Sequence, residues 1–546
     1  MAEKIIGASI GQCVHVAGII NFLRLAEEQG YDTEFLGPAV SVEELLDAVL
    51  EADPQWIAVS YRLTPSVAAE LFEELADRAA ELGLIDKKFI FGGTKPVAQV
   101  AKETGFFQGV FSGEETIPEI IAFLKGGGRY SSSEAYPQSL VARLAAKAPY
   151  PLLRHHFGLP SLEETMAGAA AIAEAKVLDV LSIGPDQSAQ ESFFRPQELA
   201  EAARGAGGVP IRREEDLRAI YEATRRGNYP LLRCYSGTRD VLQWGEMLQR
   251  TINNAWCAVP LCWYNVLDKR GPRFLDESIQ EAQQLMAWHG QRNIPVECNE
   301  AHHWSLRDAH DTIAVVMAFL GAYNAKAWGV KDYIAQYMFN TPPATSPTMD
   351  LAKMLAKKEL IEGLVDDHFR VYTQVRAGLA SFPVDLDEAK GQLGMATMLG
   401  MMLQPHIVHV VAYCEAQYAA LPADVIASCR LARRVIENCL YDRVDIISDP
   451  RVQQRKEVLL AEAKILLQGL HALGEKMGSK DPWADHRVLA QGIKLGLIDA
   501  PHLRNTPPAK GQLQTRIIDG ACVAIDPETK EPIGEEERLA RLGLRR

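Results

Sequence analysis

"SIGQCVHVAG", residues 9–18, completes the apolar run that starts at "KIIGA" and sets a histidine and a glycine three positions apart where a first strand would end. Outward from it, short β-rich runs alternate with amphipathic helical stretches. After "IINFLRLAEEQG" come "TEFLG" and then "SVEELLDAVLEA", which Ser41 and Glu44 open as a capping box. "WIAVSYR", "KFIFGG" and "GVFSG" continue the series with helical stretches between them. This pattern predicts a five-strand doubly wound parallel sheet over residues 1–127. Such sheets bind ligands beyond the carboxyl ends of their strands, here around Gly11 to Gly18, Ser60, Gly92 with Gly93, and Ser112 with Gly113. A dinucleotide site would carry GxGxxG in the first turn, whereas "GQCVHVAG" lacks the middle glycine and puts an imidazole there. A loop imidazole is a natural transition-metal ligand, although from this spacing alone a helix-capping or surface histidine is the plainer reading of His15.

Bulk properties narrow the classes. A chain of 546 residues exceeds one ordinary core, so two or three domains are expected. Its formal net charge of -14 argues against a nucleic-acid partner, which calls for clustered Lys and Arg. Nine cysteines lie scattered without a CxxC pair, and no basic-then-apolar leader is present; the expectation is a reduced, cytoplasmic protein. No apolar run is long enough to span a bilayer, so no membrane partner is expected.

The Gly- and Ser-rich stretch "KGGGRYSSSEAYPQ" lacks hydrophobic periodicity and reads as part of an interdomain linker, 128–145. Beyond it, "YPLLRHH", "VLDVLSIG", "YPLLRCY", "AVPLCWY", "IPVECN" and "WGVKDYIAQYM" alternate with amphipathic helices, which predicts a (β/α)8 barrel over 146–440. Two strands are not fixed by the pattern, though "TMLGMMLQPHIVHVV" could hold one, and the chain beyond residue 350 reads as mostly helical. Residues 441–546 read as a helical accessory lobe.

Barrel chemistry sits at the carboxyl ends of the strands. Arg154, Gln190, Arg233, Tyr235 and Tyr264 lie at such ends and suit a small anionic substrate, since guanidinium binds carboxylate bidentately and tyrosine can donate beside it. Glu297 is a candidate base or amine-binding group, with a rim salt bridge as the equal alternative, and His302 is a further catalytic candidate. Cys298, His302 and His303 carry zinc-ligand chemistry within a few residues, but C-x3-H-H is no recognised zinc spacing.

Two resemblances sharpen this reading. "CVHVAG", Ser60 in "AVSYRL" and the glycine pair in "FIFGG" resemble, in order and spacing, the flavodoxin-like cobalamin-binding domain shared by methionine synthase and the small subunit of glutamate mutase. The resemblance implies His15 as lower ligand of the cobalt of cobalamin, Ser60 beside the displaced benzimidazole, and Gln12, Cys13, Gly18, Leu63, Gly92, Gly93, Ser112 and Gly113 around the cofactor. The family's aspartate is Cys13 here, a weaker acceptor, which leaves Gln12 as another residue placed to orient the histidine. The family's SxL reads Ser60-Tyr61-Arg62-Leu63, one residue longer.

"PLLRHHFGL", "YPLLRCYSGTRD", "TINNAWCAVPLCWYN", "EAHHWSL" and the terminal "LGLIDAP" resemble, more weakly, the catalytic subunit of glutamate mutase, so that the chain is similar to the two mutase subunits fused. In that family adenosylcobalamin initiates radical chemistry and three arginines hold the substrate. Only Arg154 matches cleanly; the second arginine falls at Ala189 or Gln190, the third at Tyr235 or Arg233, and the active-site glutamate falls at Asn254. Losing charge-assisted bonds of about 1.5–3 kcal/mol each argues against glutamate itself. The resemblance therefore implies an adenosylcobalamin-dependent isomerase, a mutase acting on a small organic or amino acid other than glutamate. The other classes open to such a chain are a corrinoid-dependent methyltransferase, cycling methylcobalamin, and a non-catalytic cobalamin sensor or carrier. A homodimer through the barrel is an assembly open to it.

Overall fold

The computed structural model describes residues 3–115, 117–124, 136–199, 204–442 and 444–543. The chain forms two compact units, Met1–Ala135 and Tyr136–Arg546.

In the first unit, β1 (Lys4–Ile10), β2 (Asp32–Val40), β3 (Trp56–Tyr61), β4 (Lys88–Gly93) and β5 (Gly109–Phe111) form a parallel sheet in the order β2-β1-β3-β4-β5. This is the predicted doubly wound arrangement, and the strand order places a topological switch between β1 and β3. Alternation along each strand feeds two separate cores. Ile6, Ala8, Ile57, Val59 and Phe91 face one side with Phe72, while Ile5, Trp56, Ala58 and Ile90 face the other with Ile19 and Leu23. The capping box forms as expected: Glu44 N donates to Ser41 Oγ (3.2 Å) and Ser41 N to Glu44 Oε2 (2.9 Å).

The second unit is a nearly closed eight-stranded parallel barrel. Its strands are β6 (Leu152–Phe157), β7 (Val180–Ile183), β8 (Leu231–Cys234), β9 (Cys257–Val259), β10 (Val296–Cys298), β11 (Asp332–Phe339), β12 (Arg370–Ala377) and β13 (Ile407–His409). They pair in the order β8-β7-β6-β13-β12-β11-β10-β9. No ladder joins β8 to β9. Instead Ala255 N donates to Leu232 O (2.8 Å), and the Asn254 amide bridges the joint, accepting from Cys234 N (3.1 Å) and donating to Trp256 O (2.8 Å).

Two readings of the sequence are corrected here. β12 lies where mostly helix was expected, because its inward positions Tyr372, Gln374 and Arg376 are polar or amphipathic and give no apolar run. The expected linker, 128–145, falls partly on residues 128–135, which lie outside the described residues. Its last part is helical: Leu140–Lys147 inserts Leu140 and Leu144 into an apolar cluster with Leu152, Val180, Leu231, Trp256, Ile334 and Ile407, and so floors the barrel. The C-terminal helices Pro450–Lys476 and His486–Leu495 share the core of the barrel helices through Leu459, Leu466, Leu489 and Ile493. Arg455 also reaches from the first of them to Asp311 (3.1 Å), which in turn pairs with the buried Lys353 (3.3 Å).

Candidate functional site

At the carboxyl edge of the first sheet, the chain leaves β1 through a loop that buries Cys13 and exposes His15. Cys13 Sγ lies 3.7 Å from His15 Nδ1. A proton on Nδ1, pointing at that sulfur, leaves Nε2 as a free lone pair. Across the edge, Ser60 on β3 is in register with Gly92 on β4. The Ser60 hydroxyl is buried and has no hydrogen-bond partner among the described residues. A side chain at Gly92 or at Gly18 would project into open space, so the room beside Ser60 is not filled by protein. Val14 and Leu63 expose apolar surface along the same edge. Gln12 is exposed, whereas the Ser112 hydroxyl and the Gly113 N–H are both engaged by Glu115 (2.9 and 3.0 Å).

Inside the barrel, the apolar floor gives way to a polar layer built on buried charge. Glu297 on β10 is fully buried and accepts from Arg154 Nη1 (3.1 and 3.3 Å), Arg233 Nη2 (3.3 Å), Asn299 Nδ2 (2.6 Å) and the Trp256 indole. Burial raises its pKa, but Arg154, Arg233 and the hydrogen bonds more than offset this and hold it down to about 2. Glu297 is therefore a counter-ion with its acceptor positions filled, and not the free base that its place in the sequence allowed. Arg154 is equally committed: Nε donates to Ser182 Oγ (2.8 Å), Nη1 also to Gln374 Oε1 (2.8 Å), and Nη2 lies 3.2 Å from His156 Nε2. Each of its guanidinium nitrogens has a partner, so its geometry is that of an organising cation.

Above that layer the groups are unsatisfied. Arg233 is fully buried, yet its Nε and Nη1 have no hydrogen-bond partner among the described residues. Arg376, two residues beyond Gln374 on β12, makes one hydrogen bond among the described residues, Nε to the Ala377 carbonyl (3.1 Å). His156 stacks on Tyr235 (centroids 4.5 Å, 14°) and meets His409 edge-on (4.5 Å). The Nδ1 atoms of both histidines are buried without hydrogen-bond partners among the described residues. His302 Nδ1 lies 2.7 Å from Gln336 Nε2, and Gln336 Oε1 accepts from Gln374 Nε2 (2.7 Å). Burial, and behind it the neighbouring cationic side chains, holds His156, His302 and His409 far below the usual histidine range, so all three are neutral.

The predicted barrel residues thus separate. Arg154, Arg233, Tyr235, Glu297 and His302 belong to one connected interior. Gln190 turns its amide to the Pro185 carbonyl (2.8 Å) and caps a loop. Tyr264 sits in the loop after β9 under Arg270 (4.1 Å to the ring). Cys298 faces the helix Asp311–Ala327, where its Sγ lies 3.2 Å from the position of a side chain at Gly321, while His302 faces the barrel; the two are not brought together. Asn254 is a structural bridge between strands. Arg376, His156, His409, Gln374 and Trp256 were missed. The signal for Gln374 and Arg376 was available in the period-two spacing of "YTQVRA".

Residues 3–121 match the family model of the B12 binding domain. No curated protein matches the chain. Among solved structures, a cobalamin-binding protein from Desulfitobacterium hafniense DCB-2 is 25% identical, over 23% of this chain and 60% of that one, with a TM-score of 0.21. The chain thus spans less than two thirds of that relative's length. A truncated 3-deoxy-D-arabino-heptulosonate 7-phosphate synthase from Thermotoga maritima is 14% identical over 54% of this chain and 87% of that one (TM-score 0.31). The cobalamin-dependent S-adenosylmethionine radical enzyme OxsB is 10% identical over 86% and 56% (TM-score 0.22). With TM-scores this low, the structural likenesses add nothing to the functional reading. The first unit is a B12-binding domain on a doubly wound sheet, and its residues suit the group: a buried hydroxyl lacks a partner among the described residues beside unfilled space, and an exposed imidazole stands on the same edge. Among the described residues, no helix is long and apolar enough to cross a membrane.

Proposed function

We propose that the chain is a cobalamin-dependent enzyme, an adenosylcobalamin isomerase whose barrel binds a small organic acid other than glutamate. The observation that carries this reading is the pairing of a B12-binding domain with a barrel interior that leaves a buried arginine, Arg233, with two unpartnered N–H groups. A buried guanidinium with open donors is costly unless an anion completes it, and a carrier or sensor has no use for that arrangement.

His15 would ligate the cobalt through Nε2, Cys13 would orient the ring, and Ser60 would donate to the displaced benzimidazole. Bound adenosylcobalamin would supply a cobalt–carbon bond whose homolysis starts hydrogen abstraction from the substrate. The barrel residues bind and orient. Arg233 and Arg376 take the carboxylate, Arg154 and Glu297 keep Arg233 in place, and the His156 and Tyr235 rings wall the mouth. The anchoring role falls to Arg233 and Arg376 because the nitrogens of Arg154 are already engaged.

The test is the cofactor that co-purifies from the native host, identified by absorbance and mass. An adenosyl upper ligand is expected. A methyl ligand would move the chain to the corrinoid methyltransferases, and failure to take up any cobalamin would overturn the reading altogether.

A further inference from the structure

The hydrogen-bond directions inside the barrel follow from one group that can only donate. A guanidinium has five N–H donors and no acceptor. Arg154 Nη1 therefore fixes the Gln374 oxygen as the acceptor at 2.8 Å, which turns the Gln374 NH2 toward Gln336. Gln374 Nε2 then donates to Gln336 Oε1 (2.7 Å), which turns the Gln336 NH2 toward His302. Gln336 Nε2 donates to His302 Nδ1 (2.7 Å), so Nδ1 is the acceptor and the proton of the neutral ring is on Nε2. The same argument applies to His156: its Nε2 accepts from Arg154 Nη2 (3.2 Å), which leaves the proton on Nδ1, a buried nitrogen without a partner.

One arginine thus sets the tautomers of two histidines, and both rings present N–H groups. Added to Arg233 Nε and Nη1 and the guanidinium of Arg376, the mouth is a set of donors. Most acceptors are engaged elsewhere; the buried Asn299 Oδ1 beside Glu297 is the exception, with no hydrogen-bond partner among the described residues. The two oxygens of Glu297 already take five hydrogen bonds. Glu300 accepts from Cys262 N (3.0 Å) and the Trp304 indole (3.3 Å), and Glu415 from Ala412 N (2.8 Å) beside His155 (3.1 Å). Of the rings His156, His302 and His409, only the last has a tautomer not set by a neighbouring side chain among the described residues, and one imidazole lone pair does not offset two nearby guanidiniums.

We propose that the barrel selects a carboxylate substrate whose second polar group is a hydrogen-bond acceptor, such as an oxo or carbonyl oxygen, and rejects the amino analogue, because the Arg154, Gln374 and Gln336 chain fixes His302 as an Nε2–H donor. The inference rests on the barrel being the substrate site, as proposed above. Gln374 and Gln336 are positioning residues; His302 is the residue that meets the substrate oxygen. An ammonium placed in this mouth meets mostly donors and positive charge, and the Asn299 amide oxygen with one imidazole lone pair does not replace the water it gives up.

Two measurements on the full-length protein test this. In solid-state NMR of protein carrying nitrogen-15 histidine, with His302 assigned by its loss in His302→Gln, the Nε2 signal is expected protonated and the Nδ1 signal unprotonated; the opposite tautomer, or an imidazolium, overturns the relay. Calorimetric titration then compares pyruvate, 2-oxobutyrate and 2-oxoglutarate with alanine, 2-aminobutyrate and glutamate. The best oxo acid is expected to bind on the order of tenfold or more tightly than its amino partner. Equal or tighter binding of the amino acid overturns the specificity. If no acid binds while the predicted tautomer is observed, the relay stands and the substrate-class inference falls together with the barrel as substrate site. Gln336→Glu places a carboxylate at Nδ1, and is expected to move the proton there and to erase the oxo-acid preference; a preference that survives the moved proton overturns the role of His302.

Discussion

Replacing Ser60 by alanine separates a ligand-binding role from a structural one, because the wild-type hydroxyl has no hydrogen-bond partner among the described residues. Ser60 is 4% exposed and in register with Gly92, beside open space. Burying a hydroxyl unpaired costs about 1–3 kcal/mol. Removing it should therefore leave the cofactor-free protein no less stable, and up to about 1 kcal/mol more stable once the lost packing of one oxygen is counted. With cofactor bound the sign reverses, since a hydrogen bond worth about 0.5–1.5 kcal/mol net is lost. That corresponds to roughly two- to twelvefold weaker binding. Absorbance titration with hydroxocobalamin measures the affinity, and thermal unfolding of the cofactor-free protein measures the stability. Unchanged affinity together with a lower unfolding temperature would refute the reasoning and make Ser60 a packing residue.

Glu297→Gln removes the counter-ion of two buried arginines, and should destabilise the barrel by about 3–5 kcal/mol in calorimetry. The pH dependence has a definite sign: the Glu297 pKa falls from 4.5 to about 2 on folding, so its contribution is complete above 4.5 and is lost as pH falls from there toward about 2. The variant should lack that component of acid unfolding, and an identical acid profile would argue against the pair. Cys13→Asp puts a stronger acceptor beside His15 and should raise hydroxocobalamin affinity by about tenfold; equal or weaker binding would mean that another group orients the imidazole. Leu140→Ala should cost about 2–5 kcal/mol in the barrel transition, as for a floor residue, whereas a linker residue would show almost no effect.

The first unit was legible because its signals are local: strand runs of a few residues, a capping box at Ser41, and turn glycines at the strand ends. The barrel strands that carry apolar runs, such as Leu152–Phe157 and Val180–Ile183, were legible for the same reason. β12 was not, since its inward face carries Tyr372, Gln374 and Arg376 and so reads as polar surface until the barrel closes around it. The helix Leu140–Lys147 follows a Gly- and Ser-rich stretch that masked its two floor leucines. The site was half visible. Arg154 and Glu297 could each be singled out from residue type and strand end, but their ion pair joins positions 143 residues apart, and nothing local says that the two neutralise one another. The tautomer of His302 depends on three side chains from β6, β11 and β12, which no single stretch of sequence contains.

The joint between β8 and β9 is where the barrel is closed by side chains instead of a ladder. Seven of the contacts around the hoop are main-chain ladders, and the eighth is a single N–H, one asparagine side chain, and the carboxylate of Glu297 gripping Arg233 on one side and Trp256 on the other. A hoop clasped by side chains opens wherever its clasp is drawn away, and Arg233 is also the group with open donors for an incoming anion. An anion on Nε and Nη1 and the clasp on Nη2 then share one guanidinium, so amide exchange at Ala255 and Cys234, the two main-chain N–H groups of the joint, becomes a gauge of occupancy.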